Sequence, residues 1–270
     1  MSIAIAARLI AAAGVLSVGA AGASATLYSW AFTPGMPGSY GLNNAGGTIH
    51  SVFTTFDTTS KQLTYTINFS DRITKGYWLA LNNGPNPKTH PGELGLFYFD
   101  ASDVFDADAS TDIRLTAYGY NGENGPNSWQ DGNPAVAGNQ AGDLIKGIND
   151  TAWIQGISAG DVVLPGGING RRLSMTIDAT DIISHTPLYP DAVDPWYGTG
   201  FDSSLGIWCH PVTGFNAGYS NTTGGITSLA LGNQGWLDGD HFRTDLIPAP
   251  GAGALAGAGA LLLGRRRRRV

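Results

Sequence analysis

The sequence predicts an all-β protein, an antiparallel β-sandwich or jelly roll with long Gly- and Asn-rich loops, and three observations carry that prediction. Leu63, Tyr65, Ile67 and Phe69 alternate with Thr64, Thr66 and Asn68, the period of two expected of a strand with one buried face. Many other short runs rich in β-branched and aromatic residues are each bounded by Gly, Pro, Asn or Asp clusters. No stretch between the termini holds an apolar period of 3.6 long enough for a substantial helix, which argues against a βαβ architecture.

In chain order, the first β candidate is Tyr28 to Phe32, an aromatic run stopped by Thr33-Pro34-Gly35. Residues 48–70 predict an antiparallel hairpin, with Val52 to Phe56 and Leu63 to Phe69 as its arms and the turn-forming DTTSK between them. Tyr77 to Leu81 and Leu94 to Phe99 are further short strand candidates bounded by Gly, Pro, Asn or Asp. Ile113 to Tyr120, Thr151 to Ile157, Arg172 to Asp178, Leu205 to Cys209 and Ile226 to Leu231 complete the strand candidates. Ala179 to Ser184 is the best helical candidate and offers one or two turns. Two long connections, residues 121–142 and 184–204, carry Gly, Asn, Pro and aromatic residues, and loops of that length within a compact domain are often functional.

The two ends differ from this body. Residues 1–25 carry Arg8, an apolar run and then Ala23-Ser24-Ala25, the pattern of a secretory signal peptide cleaved between Ala25 and Thr26. The body is then 26–246, one large or two small β units, and 247–270 is a separate tail. The body holds nine basic and 21 acidic residues, a formal charge of −12 that repels a phosphate backbone and argues against nucleic-acid binding. All but Glu93 and Glu123 of those acids are Asp, a residue of turns and metal-binding loops. Cys209 is the one cysteine, so the chain forms no internal disulfide, and the thiol reads as a small buried hydrophobe.

The richest acidic run places Asp100, Asp103, Asp106, Asp108 and Asp112 within thirteen residues. Ca²⁺ takes six to eight oxygen ligands, which such a run supplies, so calcium is the one candidate cofactor. An EF-hand is excluded, because Thr111 and Ala117 stand where that loop requires Gly and Glu. Asp238-Gly-Asp240 reads as a tight hairpin turn. No catalytic residue is assigned. The two Glu are thirty residues apart, no G-x-S-x-G elbow occurs, and His50, His90, His185, His210 and His241 are scattered without zinc spacing. The aromatic residues of the long loops, Trp129, Tyr189, Trp196 and Tyr197, lie among Asn, Asp and Gly and are candidates for stacking on sugar rings.

The tail reads Ile247-Pro248-Ala249-Pro250, then an uncharged stretch to Gly264, then Arg265 to Arg269. The uncharged stretch from Leu246 is long enough to cross a hydrocarbon core, and the arginines would stay cytoplasmic. A Pro motif, an apolar helix and a terminal Arg cluster in this order resemble the PEP-CTERM sorting signals recognised by exosortases in Gram-negative bacteria. Ala249 departs from that family's Pro-Glu-Pro. The stretches GPNPKTHPGELGLFYFD and YGYNGENGPNSWQDG are similar to stretches of other such exported proteins. The resemblance implies processing near Pro248, Ala249 and Pro250 by an exosortase-type enzyme, membrane contact only through the tail before processing, and an exopolysaccharide setting. The expected function is therefore that of a non-enzymatic surface or matrix protein, with a carbohydrate-binding module or a secreted sugar-acting enzyme as the alternative.

Overall fold

The computed structural model describes residues 27–33, 39–82, 94–106, 111–120, 142–185 and 206–240. The predicted signal segment, the predicted sorting helix of the tail, and Pro248, Ala249 and Pro250 lie outside these residues. The described chain is all-β, with antiparallel sheets and two helices of a single turn each. Five strands form one sheet, in the order β1 (Leu27–Phe32), β3 (Ile49–Asp57), β4 (Gln62–Phe69), β10 (Ile168–Asp178) and β9 (Ile154–Leu164). Seven form the other, in the order β2 (Ser39–Asn43), β14 (Trp236–Asp240), β11 (Gly206–Val212), β5 (Gly76–Asn82), β6 (Leu94–Asp100), β7 (Arg114–Tyr120) and β8 (Gly142–Lys146). A separate hairpin joins β12 (Phe215–Tyr219) to β13 (Ile226–Leu231), and the helical turns are α1 (Ser102–Phe105) and α2 (Thr180–Ile183).

Alternation along the strands explains why the sheets stack. Trp30, Val52, Tyr65, Ile67, Leu173 and Met175 leave the smaller sheet on one side, and Tyr77, Leu79, Phe97, Phe99, Cys209 and Leu237 leave the larger sheet toward them, in one buried core. Tyr65 meets Tyr77 across the gap with ring centroids 5.5 Å apart, and Tyr77 stacks on Phe99 at 4.9 Å. The other face of the larger sheet is apolar too. Trp78, Ala80, Leu96, Tyr98, Tyr118 and Trp208 pack with Phe215 and Ile226 of the β12–β13 hairpin, a second core outside the first. The β5 sequence GYWLALN has no polar alternation because it is buried on both faces.

The smaller sheet keeps its outer face polar but uncharged along the middle. Cross-strand register aligns Ala31, Phe53, Thr66, Ser174 and Ser158 in one row, and Ser29, Thr55, Thr64, Thr176 and Gly156 in the next. Thr66 and Ser174 hydroxyls lie 2.7 Å apart, and those of Thr64 and Thr176 lie 3.1 Å apart. The β3–β4 turn is the one the sequence predicts. Asp57 Oδ1 accepts from the amides of Thr59 at 2.8 Å and Ser60 at 3.1 Å, bonds that hold its carboxyl below the usual range, and Lys61 adopts a left-handed φ of 56°.

Two local expectations are corrected. Asp238-Gly239 belongs to strand β14 rather than to a turn: Asp238 is buried at 3% exposure opposite Gly41, where any larger side chain would strike its carboxylate, and a bulge follows it. Strand β9 starts at Ile154 rather than Thr151, because Thr151 to Trp153 form a turn closed by the Trp153 indole donating to Asp150 O at 2.8 Å. The start of the acidic run is helical over α1. The β2–β3 connection is held close to β11 through Gly46, whose Cα faces the Pro211 carbonyl with no room for a methyl group. Gly46→Ala is expected to cost about 2–3 kcal/mol of stability by overpacking, read as a lower urea midpoint at unchanged slope.

Candidate functional site

The acidic turn is organised around the cations of the chain. Asp100 ends β6 facing the β12–β13 hairpin and is buried at 2% exposure. Its Oδ1 accepts from the Ser102 amide at 3.1 Å and the Ser102 hydroxyl at 2.5 Å, and its Oδ2 accepts from the Tyr219 hydroxyl at 3.2 Å. Arg114, directly opposite Asp100 at the start of β7, places Nη1 3.5 Å from the same Oδ2 and donates from Nη2 to Asp103 at 2.5 Å. Its guanidinium also lies 5.8 Å from the centre of the Tyr219 ring. Burial and then the Asp100 charge raise the pKa of the Tyr219 hydroxyl, which stays a neutral donor. Lys75 binds Asp106. Asp100, Asp103 and Asp106 thus each face a cation of the chain, Asp108 lies outside the described residues, and Asp112 is exposed on the rim of a separate cleft. Among the described residues, no three His, Cys, Asp or Glu side chains are grouped to hold a metal ion.

The cleft beside Asp112 runs between β7 and β9 with a volume of about 410 Å³. Ile113, Ile148, Ile154 and Ile157 make its walls, with Thr111, Thr151 and Arg114 adding polar atoms. It is an open amphipathic groove with a carboxylate at one edge.

Trp129, Tyr189, Trp196 and Tyr197 lie outside the described residues, but the anchors of their loops are defined. The loop with Trp129 leaves β7 at Tyr120 and returns to β8 at Gly142, its cross-strand partner. The loop with the other three starts after His185, whose Nε2 is 3.4 Å from the buried Asp143 carboxylate near the start of β8. It returns at Gly206, in register with Asn82 of β5 and Asp240 of β14. Both loops therefore spring from the same end of the seven-stranded sheet.

Other tryptophans of the body are packing residues. Trp78 stacks on His210 with ring centroids 4.0 Å apart and planes within 9°, meets Trp208 edge-on at 4.7 Å, and donates from Nε1 to Gln234 at 3.2 Å. Trp208 is 2% and Trp153 4% exposed. Sequence reasoning did not supply Arg114, Lys75 or Tyr219 as partners of the acids. A usable signal was present for Arg114, the only cation within the two strands that flank the acidic run. No family model, no curated protein and no solved structure matches the chain.

Proposed function

We propose that the chain is an exported, non-enzymatic protein of the cell surface or extracellular matrix, a β-sandwich delivered by its N-terminal signal segment and sorted by its C-terminal helix. The observation that carries this reading is the pairing of the cleavage pattern at Ala23 to Ala25 with the tail of Pro248, Ala249 and Pro250, an apolar segment and Arg265 to Arg269, on either side of an acidic β body. An exosortase-type enzyme is the processing partner, and the membrane is touched only through the tail before processing. An epitope inserted between Gly166 and Gly167 suits the test, because both residues have positive φ and open space around them at the β9–β10 turn. Fractionation of expressing Gram-negative cells is expected to place a product shorter than the full chain at the surface or in the medium. A full-length cytoplasmic product would overturn the proposal.

The second reading, a carbohydrate-binding body, is favoured by the common origin of the two aromatic loops at one end of the seven-stranded sheet. Loops that leave one end of a rigid sheet are a usual place for a ligand site. Its test pairs a glycan array with a hydrolysis screen. Binding without release of reducing ends supports a module, release supports a sugar-acting enzyme, and silence in both removes the reading.

A further inference from the structure

We infer that the outer face of the five-stranded sheet is a contact surface for a neutral polysaccharide; this rests on the carbohydrate reading above but assigns the contact to residues other than those of the aromatic loops. The face is unusual for so acidic a body. Charge on it is confined to its ends, with Asp57 and Asp178 at one and Arg172 at the other, while the described positions between them are hydroxyl, small or apolar. Exposed sheet faces ordinarily carry mixed charges that keep them soluble and unpartnered.

The chemistry of the middle selects the occupant. Each paired hydroxyl couple, Thr66 with Ser174 and Thr64 with Thr176, uses one donor and one lone pair between its members. Each couple keeps a second donor and further lone pairs for an outside partner. Strand geometry repeats these groups at roughly 4.8 Å across the sheet and roughly 6.8 Å along it, a regular array of donors and acceptors. Phe53 stands in the same row as Thr66, 48% exposed, beside Ala31 and Thr55, so its ring is presented over small neighbours. A ring beside hydroxyls matches a sugar, which offers an apolar ring face and hydroxyl edges.

Charge excludes the other occupants. An anionic polymer would meet one cation, Arg172, whose Nε already donates to Asn68 at 2.8 Å, on a body of net charge −12. A cationic polymer would find no carboxylate between the ends. A second copy of the chain would need an apolar centre, and the large exposed hydrophobics among the described residues of the face, Phe53, Leu27 and Ile168, are dispersed, Leu27 opposite Asp57 and Ile168 beyond Arg172 at the β9–β10 turn.

The test is co-sedimentation of the full-length chain with insoluble cellulose and an insoluble β-1,3-glucan, beside the anionic polymer alginate in affinity electrophoresis. The wild type is expected to be retained by a neutral polymer and not retarded by alginate. Phe53→Ala is expected to weaken retention about tenfold, Phe53→Trp to preserve it, and Ser174→Lys to abolish it, with each variant confirmed folded by circular dichroism at the assay temperature. If these variants bind like the wild type while Trp129→Ala or Trp196→Ala loses binding, the contact lies in the loops; the inference then fails and the carbohydrate reading survives. If the wild type binds neither neutral polymer, both fail. Loss of a dimer in sedimentation on Phe53→Ala would instead make the face an interface between copies, which also overturns the inference.

Discussion

Arg114→Ala is expected to lower stability by about 2–3 kcal/mol and the thermal midpoint by roughly 5–10 °C. The loss is large because of what is left behind. Asp100 is 3% exposed at its side chain, and without Arg114 its carboxylate keeps only the Ser102 and Tyr219 hydrogen bonds. A buried charge stripped of its partner costs more than the pair contributes when intact. The figure is set below that of a fully buried pair because Arg114 itself is 29% exposed and partly screened by water. Asp100→Asn in the same background is expected to recover more than half of the loss, since the amide removes the orphaned charge and still accepts from Ser102. Additivity of the two substitutions in urea denaturation would show that the residues do not act as a unit. The same measurements address calcium. Chelator is expected to leave the wild-type midpoint unchanged, because Asp100, Asp103 and Asp106 already face Arg114 and Lys75. A fall reversed by Ca²⁺ would assign the carboxylates to a metal after all.

The hairpin of β3 and β4 was legible because each strand has one wet face, so its sequence alternates, and because Asp57 and Thr59 mark the turn. Strands β5 and β11 were legible for the opposite reason: both faces are dry, and their sequences are apolar runs. The strands that escaped are β2, β8, β12 and β14, all five residues long. In these the local signal favours turns. SYGLN, GDLIK, FNAGY and WLDGD carry Gly or Asp where a strand is weakest alone, and they become strands only when a longer neighbour supplies the hydrogen bonds. Strand β14 shows the reason most directly. Asp238 fits its interior only because Gly41 on β2 leaves space for the carboxylate, and sequence could not pair residues so far apart.

The acidic run was visible as composition, but its meaning was not. Lys75 lies 31 residues from Asp106 and Tyr219 lies 119 from Asp100, so their pairing depends on strand order, which periodicity does not reveal. For the same reason the uncharged face of the smaller sheet was invisible. Each of its strands looks ordinary alone, and only the register of β3, β4, β10 and β9 lines the hydroxyls up.

The second large effect is expected at alkaline pH. Burial pushes the Cys209 thiol from 9.0 up to about 12, and burial followed by the neighbouring thiol raises the hydroxyls of Tyr65 and Tyr77 well above 10.0. These are acids whose neutral form belongs to the native state, so their contribution is complete below the unfolded values. It falls once the unfolded chain can ionise and the folded one cannot. The decline therefore starts near pH 9 through Cys209, steepens above pH 10 as both tyrosines join, and the Cys209 share levels off at about 12. Each group removes about 1.4 kcal/mol per pH unit above its own unfolded value, so roughly 5 kcal/mol is lost by pH 11. That is a large part of the stability of an ordinary domain, and this core contains no disulfide to hold it closed. Urea midpoints measured from pH 8 to pH 11 are expected to fall along this curve, and a flat profile would contradict the burial of all three groups. Cys209→Ala is expected to move the onset up by about one pH unit, to the tyrosine limb, at a cost of about 1 kcal/mol at neutral pH. Iodoacetamide supplies an independent readout at pH 8: the native thiol is expected to stay unlabelled and the urea-unfolded thiol to react, because only the thiolate is the nucleophile and the fold withholds it.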